Sequence, residues 1–129
     1  MNTTRATRDP VPSHPAQHLR RGQAAETRAC RHLRLRGWRI CARNWIGGPG
    51  ELDIVASRWR TLLVVEVRSR ISAERALDSI DRAKLDRILR TARTLVHAHG
   101  LHRYRLRVDI IAIDGEGRLL RKRDVARTT

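Results

Sequence analysis

The sequence has no phenylalanine and one tyrosine, and aromatic residues make up only 3% of its 129 positions. The core must therefore be aliphatic, which argues against an extended aromatic platform for stacking single strands. Trp38, Trp45 and Trp59 are each expected to pack rather than to stack on a base. Cys30 and Cys41 are too few for a disulfide framework, and no Cys/His spacing indicates zinc. Lysine is almost missing: of 28 basic residues, all but Lys84 and Lys122 are arginine. Acids are scarce as well, 13 in all, which leaves a formal net charge of +15. No apolar run approaches the ~20 residues of a membrane span. No apolar segment follows the basic start, as a secretory signal would require. The expectation is a cytoplasmic protein, not bound to a membrane, whose surface attracts polyanions, phosphate backbones foremost.

The length suits one domain. Residues 1–16, with Pro10, Pro12 and Pro15, read as a disordered basic tail. A single α/β domain is expected over 17–122, and a frayed C-terminal tail over 123–129. From Gln17 to Arg36 apolar residues recur every four positions, Ala25, Ala29 and Leu33, which predicts a helix stopped by Gly37. Glu26 falls on or beside the buried stripe. Trp38–Asn44 reads as a strand and Gly47–Gly50 as a turn. Glu51–Ser57 alternates, and Leu62–Val67 is a nearly continuous aliphatic run, as in a central strand covered on both faces. The short turn between them predicts an antiparallel hairpin. Ile71–Ser79 reads as irregular. Asp81 is a candidate N-cap for a helix running to about His99 and ended by Gly100. Arg105–Ile113 is a strand, parallel to its partner because a helix precedes it. Leu119 and Leu120 begin a short last strand.

The few acids are oddly placed. Between Pro10 and Ala73 stand four, Glu26, Glu51, Asp53 and Glu66, among twelve arginines. Glu66 interrupts an aliphatic strand, where a lone carboxylate is costly without a partner or a metal. The hairpin can bring Asp53 beside Glu66, and two carboxylates on adjacent strands can hold Mg²⁺ or Mn²⁺, hard cations that take oxygen ligands. An ion pair with an arginine is the alternative for Glu66, and a turn salt bridge for Glu51. Arg107 and Asp109 share a strand face and read as a pair bracing the sheet.

Asp53, Glu66 and the following Val67-Arg68 have the shape of the PD-(D/E)xK nuclease signature. Together with Gly22-Gln23-Ala24-Ala25-Glu26, Arg43-Asn44-Trp45, Gly50-Glu51-Leu52-Asp53-Ile54-Val55, Val64-Val65-Glu66-Val67-Arg68-Ser69-Arg70, Lys84 and Arg107-Val108-Asp109-Ile110-Ile111, the chain resembles the YraN-like family of bacterial proteins. The resemblance covers roughly Arg20 to Asp114. It implies a restriction-endonuclease-like core, a mixed central sheet flanked by helices. It also implies metal ligation by Asp53 and Glu66, with Glu26 completing or orienting the water shell. Glu51 would stand behind these ligands or at the phosphate end.

The family has lysine where this chain has Arg68. Arginine can stabilise charge on phosphorus but stays protonated and cannot act as a base. Lys84, in the first turn of its helix against the dipole, is a candidate for the missing lysine role. Arg43, Arg68 and Arg70 are candidates for holding the nucleic-acid backbone. The expected activity is metal-dependent hydrolysis of phosphodiester bonds in DNA, branched or damaged DNA included. The alternative is a non-catalytic nucleic-acid binder with a degenerate site. A homodimer is permitted.

Overall fold

A computed structural model describes residues 22–127. The expected tail over 1–16 and the expected helix start at Gln17 lie outside the described residues. Helix α1 (Gln23–Arg34) buries Ala25, Ala29, Cys30 and Leu33 on one stripe. It ends two residues before the expected Arg36, and Gly37 follows with φ +86°, a left-handed turn that suits glycine. Strands β1 (Arg39–Gly47), β2 (Gly50–Arg58) and β3 (Thr61–Ser69) form an antiparallel meander. Helix α2 (Ala73–Asp78) and helix α3 (Arg82–His99) cross over to β4 (Arg105–Ile113), which lies parallel to β3, and β5 (Leu119–Arg127) closes the sheet antiparallel to β4. The strand order is β1-β2-β3-β4-β5. This mixed five-stranded sheet with helices on both faces is the expected α/β arrangement, consistent with a restriction-endonuclease-like core.

Alternation along β3 sends Leu62 and Val64 to one face, and Leu63 and Val65 to the other. The first pair packs with Val55, Ile88, Ala92 and Leu95 under α3. The second packs with Ile54, Ala56, Ala29 and Leu33 under α1. The unbroken aliphatic run is thus a strand covered twice. Asp81 caps α3, its Oδ1 accepting from the Lys84 N–H at 2.9 Å, and Gly100 ends the helix with φ +63°.

Three expectations need correction. Ile71–Ser79 is not irregular throughout: Ser72 caps α2, whose Ala73 and Ala76 are buried against Ala112. Six residues are too few for a helical period to show in sequence. The C-terminal tail does not fray at 123, because β5 continues to Arg127 paired with Arg107. Its anchor is Asp109, fully buried, which accepts from Arg107 Nε and Nη2, Arg121 Nε and Nη2, and the Asp124 N–H, all at 2.8–3.0 Å. The expected Arg107–Asp109 brace is therefore present and is joined by Arg121. Burial pushes the Asp109 carboxyl up, but these donors outweigh it and hold its pKa below the ordinary value. Third, Trp38 and Trp45 are packed, whereas Trp59 is 90% exposed at the β2–β3 turn.

Candidate active site

The β2–β3 register pairs Ile54 with Val65 and Val55 with Val64. One further step sets Asp53 opposite Glu66, on the sheet face that α3 covers. Asp53 Oδ2 accepts the Val67 N–H at 2.8 Å, so the side chain is fixed by the backbone of the neighbouring strand. Asp53 retains some exposed surface at the bottom of its cleft. Its pKa stands well above the ordinary value, through burial first and then through the negative field of Glu66, with smaller contributions from Glu26 and Glu51. Three other acids, on α1, β2 and β3, thus converge electrostatically on Asp53.

Glu66 is buried, and two cations reach the same oxygen: Lys84 Nζ and Arg68 Nε each stand 3.6 Å from Oε2. That is ion-pair rather than hydrogen-bond distance. Arg68 Nε is buried and has no hydrogen-bond partner among the described residues. Lys84 gets there because it lies in the first turn of α3, which Asp81 caps, and α3 packs over the sheet face that carries the carboxylates.

Asp53 is the wall between two clefts. One, of about 140 Å³, is lined by Glu51, Asp53, Glu66, Lys84, Arg87 and Thr91. The other, of about 400 Å³, is lined by Glu26, Asp53, Val67, Arg68, Ser69 and Arg70. Gly50 closes the first: a Cβ there would stand 3.2 Å from Thr91 Oγ1. At the hairpin tip, Gly48 has φ +54°, and a Cβ there would lie 2.5 Å from Thr94 Oγ1. Both positions bring the hairpin close to α3; Gly48 needs the bare backbone, whereas a Cβ at Gly50 would require Thr91 to give by a few tenths of an ångström.

Residues 25–113, which carry every acid of the cluster, match the model of "Uncharacterised protein family UPF0102". The chain belongs to family UPF0102. Similar UPF0102 proteins include one from Myxococcus xanthus, 38% identical over 105 residues, covering 80% of this chain and 83% of the relative. Another, from Pseudomonas putida, is 42% identical over 104 residues, covering 78% and 83%. A third, from Ralstonia nicotianae, is 40% identical over 112 residues, covering 82% and 85%. The family resemblance read from the motifs is borne out.

In this UPF0102 chain the expected three-carboxylate metal set of Glu26, Asp53 and Glu66 is not formed. Among the described residues, no three acid, histidine or cysteine side chains stand close enough together to cage a cation. Glu26 is the reason. Asn44 Nδ2 donates to Glu26 Oε2 and to Glu51 Oε2, both at 3.0 Å, and Arg43 Nη2 lies 3.5 Å from Glu26 Oε1. Glu26 therefore lines the wider cleft and Glu66 the narrower one. The donors that fit a divalent cation are Asp53 and Glu66: Mg²⁺ is commonly held by one or two carboxylates and takes its other ligands from water and phosphate. Asp53 has a donor on Oδ2 alone among the described residues, which leaves Oδ1 for such an ion.

Arg68 and Arg70 share the wider cleft, while Arg43 is engaged by Glu26 and by Thr27 Oγ1 at 3.3 Å. Asn44, Arg87 and Thr91 also belong to the site. Asn44 stands in the motif Arg43-Asn44-Trp45, whereas Arg87 and Thr91 carry no acid and give no signal in the sequence. Asn44 is buried with φ +55°, a conformation that asparagine adopts more readily than most residues.

Proposed function

We propose that this UPF0102 protein is a metal-dependent phosphodiesterase acting on DNA, branched or damaged duplexes among its substrates. The observation that carries the reading is the pairing of Asp53 and Glu66 on neighbouring strands, with Lys84 and Arg68 both 3.6 Å from Glu66 Oε2. Asp53 and Glu66 hold the cation. When bound, Mg²⁺ or Mn²⁺ supplies the acidity that makes water a nucleophile and offsets charge on phosphorus. Arg68, whose buried Nε faces Glu66, lines the wider cleft and offers its guanidinium edge there to a phosphate oxygen. Lys84 provides the ammonium that the family places at position 68. Glu26 orders water in the wider cleft, Glu51 orients Asn44, and Arg70 with Arg43 holds the backbone at the rim. Phosphate contacts of this kind carry no sequence information, so the protein selects by structure rather than by base. It works in the cytoplasm. Among the described residues no helix is long and apolar enough to cross a membrane.

A second reading has its own support. Arg68 cannot act as a base, and both cations already neutralise Glu66. On that reading the protein binds nucleic acid without cutting it. Incubation with duplex, single-stranded and branched DNA and with RNA, in Mg²⁺ and in Mn²⁺, separates the two. Cleavage that disappears in Asp53→Ala while binding persists supports the enzyme. Salt-sensitive binding with no cleavage of any substrate supports the binder.

A further inference from the structure

The β2–β3 turn is two residues long, since Arg58 pairs with Thr61 and leaves Trp59 and Arg60 between them. Trp59 occupies the first of these positions with φ +57° and is 90% exposed. Both facts are unfavourable for folding. A positive φ in a tight hairpin turn suits glycine or asparagine, and a bulky side chain there is strained. An indole left in water also gains nothing from burial. Trp38 and Trp45, by contrast, are packed.

The ring does not stand alone. Trp59, Arg60, Arg103 and Tyr104 line a cleft of about 400 Å³, with no acid among them. Its two walls, the β2–β3 turn and the α3–β4 loop, are tied by the Arg105 N–H donating to Arg60 O at 2.7 Å. Tyr104 is partly buried against the α3-side core, and its N–H donates to Leu101 O at 3.1 Å. The cleft lies at the opposite end of the β2–β3 hairpin from the carboxylates. Thr61 to Glu66 is five residues of strand, roughly 17 Å at 3.3 Å per residue.

We propose that this cleft is a second nucleic-acid site, in which Trp59 stacks an unpaired base and Arg60 and Arg103 hold the adjoining phosphates. The inference rests on the reading that the chain handles nucleic acid and goes beyond it by naming the strand state. An exposed ring can stack only on a base face that is free, and a duplex hides those faces except at its ends. A positive rim without acids suits phosphate, and one ring serves one base without the platform that the composition argues against. The ligand is therefore a single strand, or the frayed strand of a branched substrate, rather than intact duplex.

The test is a metal-free tryptophan fluorescence titration of the full chain with an eight-nucleotide single strand and with a blunt duplex, at two salt concentrations. Single-strand binding is expected to quench the long-wavelength emission of Trp59 and to leave the buried tryptophans unchanged. Trp59→Ala abolishes the quench and weakens single-strand binding about ten-fold, the scale of one stacked base. Trp59→Phe restores most of the affinity. Arg60→Ala and Arg103→Ala each lower the salt slope by about 0.7, the value for one single-strand phosphate contact. Duplex binding is unaffected by Trp59→Ala. Single-strand binding of equal strength with and without Trp59 overturns this site while the nucleic-acid reading stands. No binding of either nucleic acid by the unaltered chain overturns both. Concentration-dependent self-association abolished by Trp59→Ala, without a single-strand quench, reassigns the patch to a protein contact and overturns the proposal.

Discussion

Lys84 Nζ stands 3.6 Å from Glu66 Oε2, which joins the first turn of a helix to the middle of a strand across the candidate cleft. Arg68 Nε approaches the same oxygen from two residues along β3, again at 3.6 Å. One carboxylate oxygen thus divides its field between a lysine and an arginine. If the proposed chemistry holds, the lysine is the more costly to lose. Lys84→Ala is expected to lower the rate of DNA cleavage about 10²–10³-fold, the scale for deleting one charge-stabilising donor. Arg68→Lys, which installs the lysine of the PD-(D/E)xK pattern, is expected to keep or raise the rate. Single-turnover cleavage in Mg²⁺ reads both, and a faster reaction in Lys84→Ala would refute the assignment.

Asp53 gives a pH signature. Its folded pKa is raised, so the stability it contributes is present below the unfolded value near 3.8 and is lost as pH rises through the folded value. Without metal, the melting temperature of the unaltered protein should therefore fall relative to Asp53→Asn as pH increases from about 4. Asparagine can still accept the Val67 N–H, so the variant keeps its backbone anchor. Added Mg²⁺ or Mn²⁺ should stabilise the unaltered protein at neutral pH and leave Asp53→Asn unmoved. Equal metal stabilisation of both proteins would place the cation elsewhere.

Asn44 fastens α1 to the meander through its two 3.0 Å bonds to Glu26 and Glu51. Asn44→Ala should lower stability by roughly 1–3 kcal/mol, the scale of hydrogen bonds made to charged groups. Asn44→Asp should be worse, because it adds a fourth charge among Glu26, Glu51 and Asp53. Urea unfolding checks the order, and a stability of Asn44→Asp above that of Asn44→Ala would contradict it.

Asp109 titrates in the opposite sense to Asp53. Its folded pKa is lowered, so its stabilisation is present above the unfolded value and is lost as pH falls through the folded one. Arg121→Ala removes two of the bonds to this buried acid, at a cost on the order of 3 kcal/mol. The acid-side loss of stability should flatten in Asp109→Asn. DNA cleavage by the Arg121 variant, measured well below its melting temperature, should be unchanged, since the cluster lies away from the clefts.

Much of this was legible in the chain itself. The strand Arg105–Ile113 and the cap at Asp81 follow directly from pattern and turn chemistry. Asp53 and Glu66 could be paired from sequence because a short turn leaves the hairpin little choice of register. Three other features needed the third dimension. Glu26 has the helical phase to face inward, but phase says nothing of Asn44, whose left-handed backbone turns its amide toward that carboxylate. The length of β5 was hidden because Arg121, Lys122 and Arg123 look like a solvated tail, while Arg121 is in fact nearly buried on Asp109. Trp59 was read as core because tryptophan so often is, yet a two-residue turn gives it nothing to pack against.

The β1–β2–β3 meander spans Arg39–Ser69 and contains Asn44, Glu51, Asp53, Glu66 and Arg68, all joined by antiparallel neighbours in chain order. Lys84 comes later, on a crossover helix. The acid pair therefore rests on contacts local in the chain, and the ammonium that faces it comes from a later, separate element. Docking of α3 thus carries an electrostatic reward as well as an apolar one.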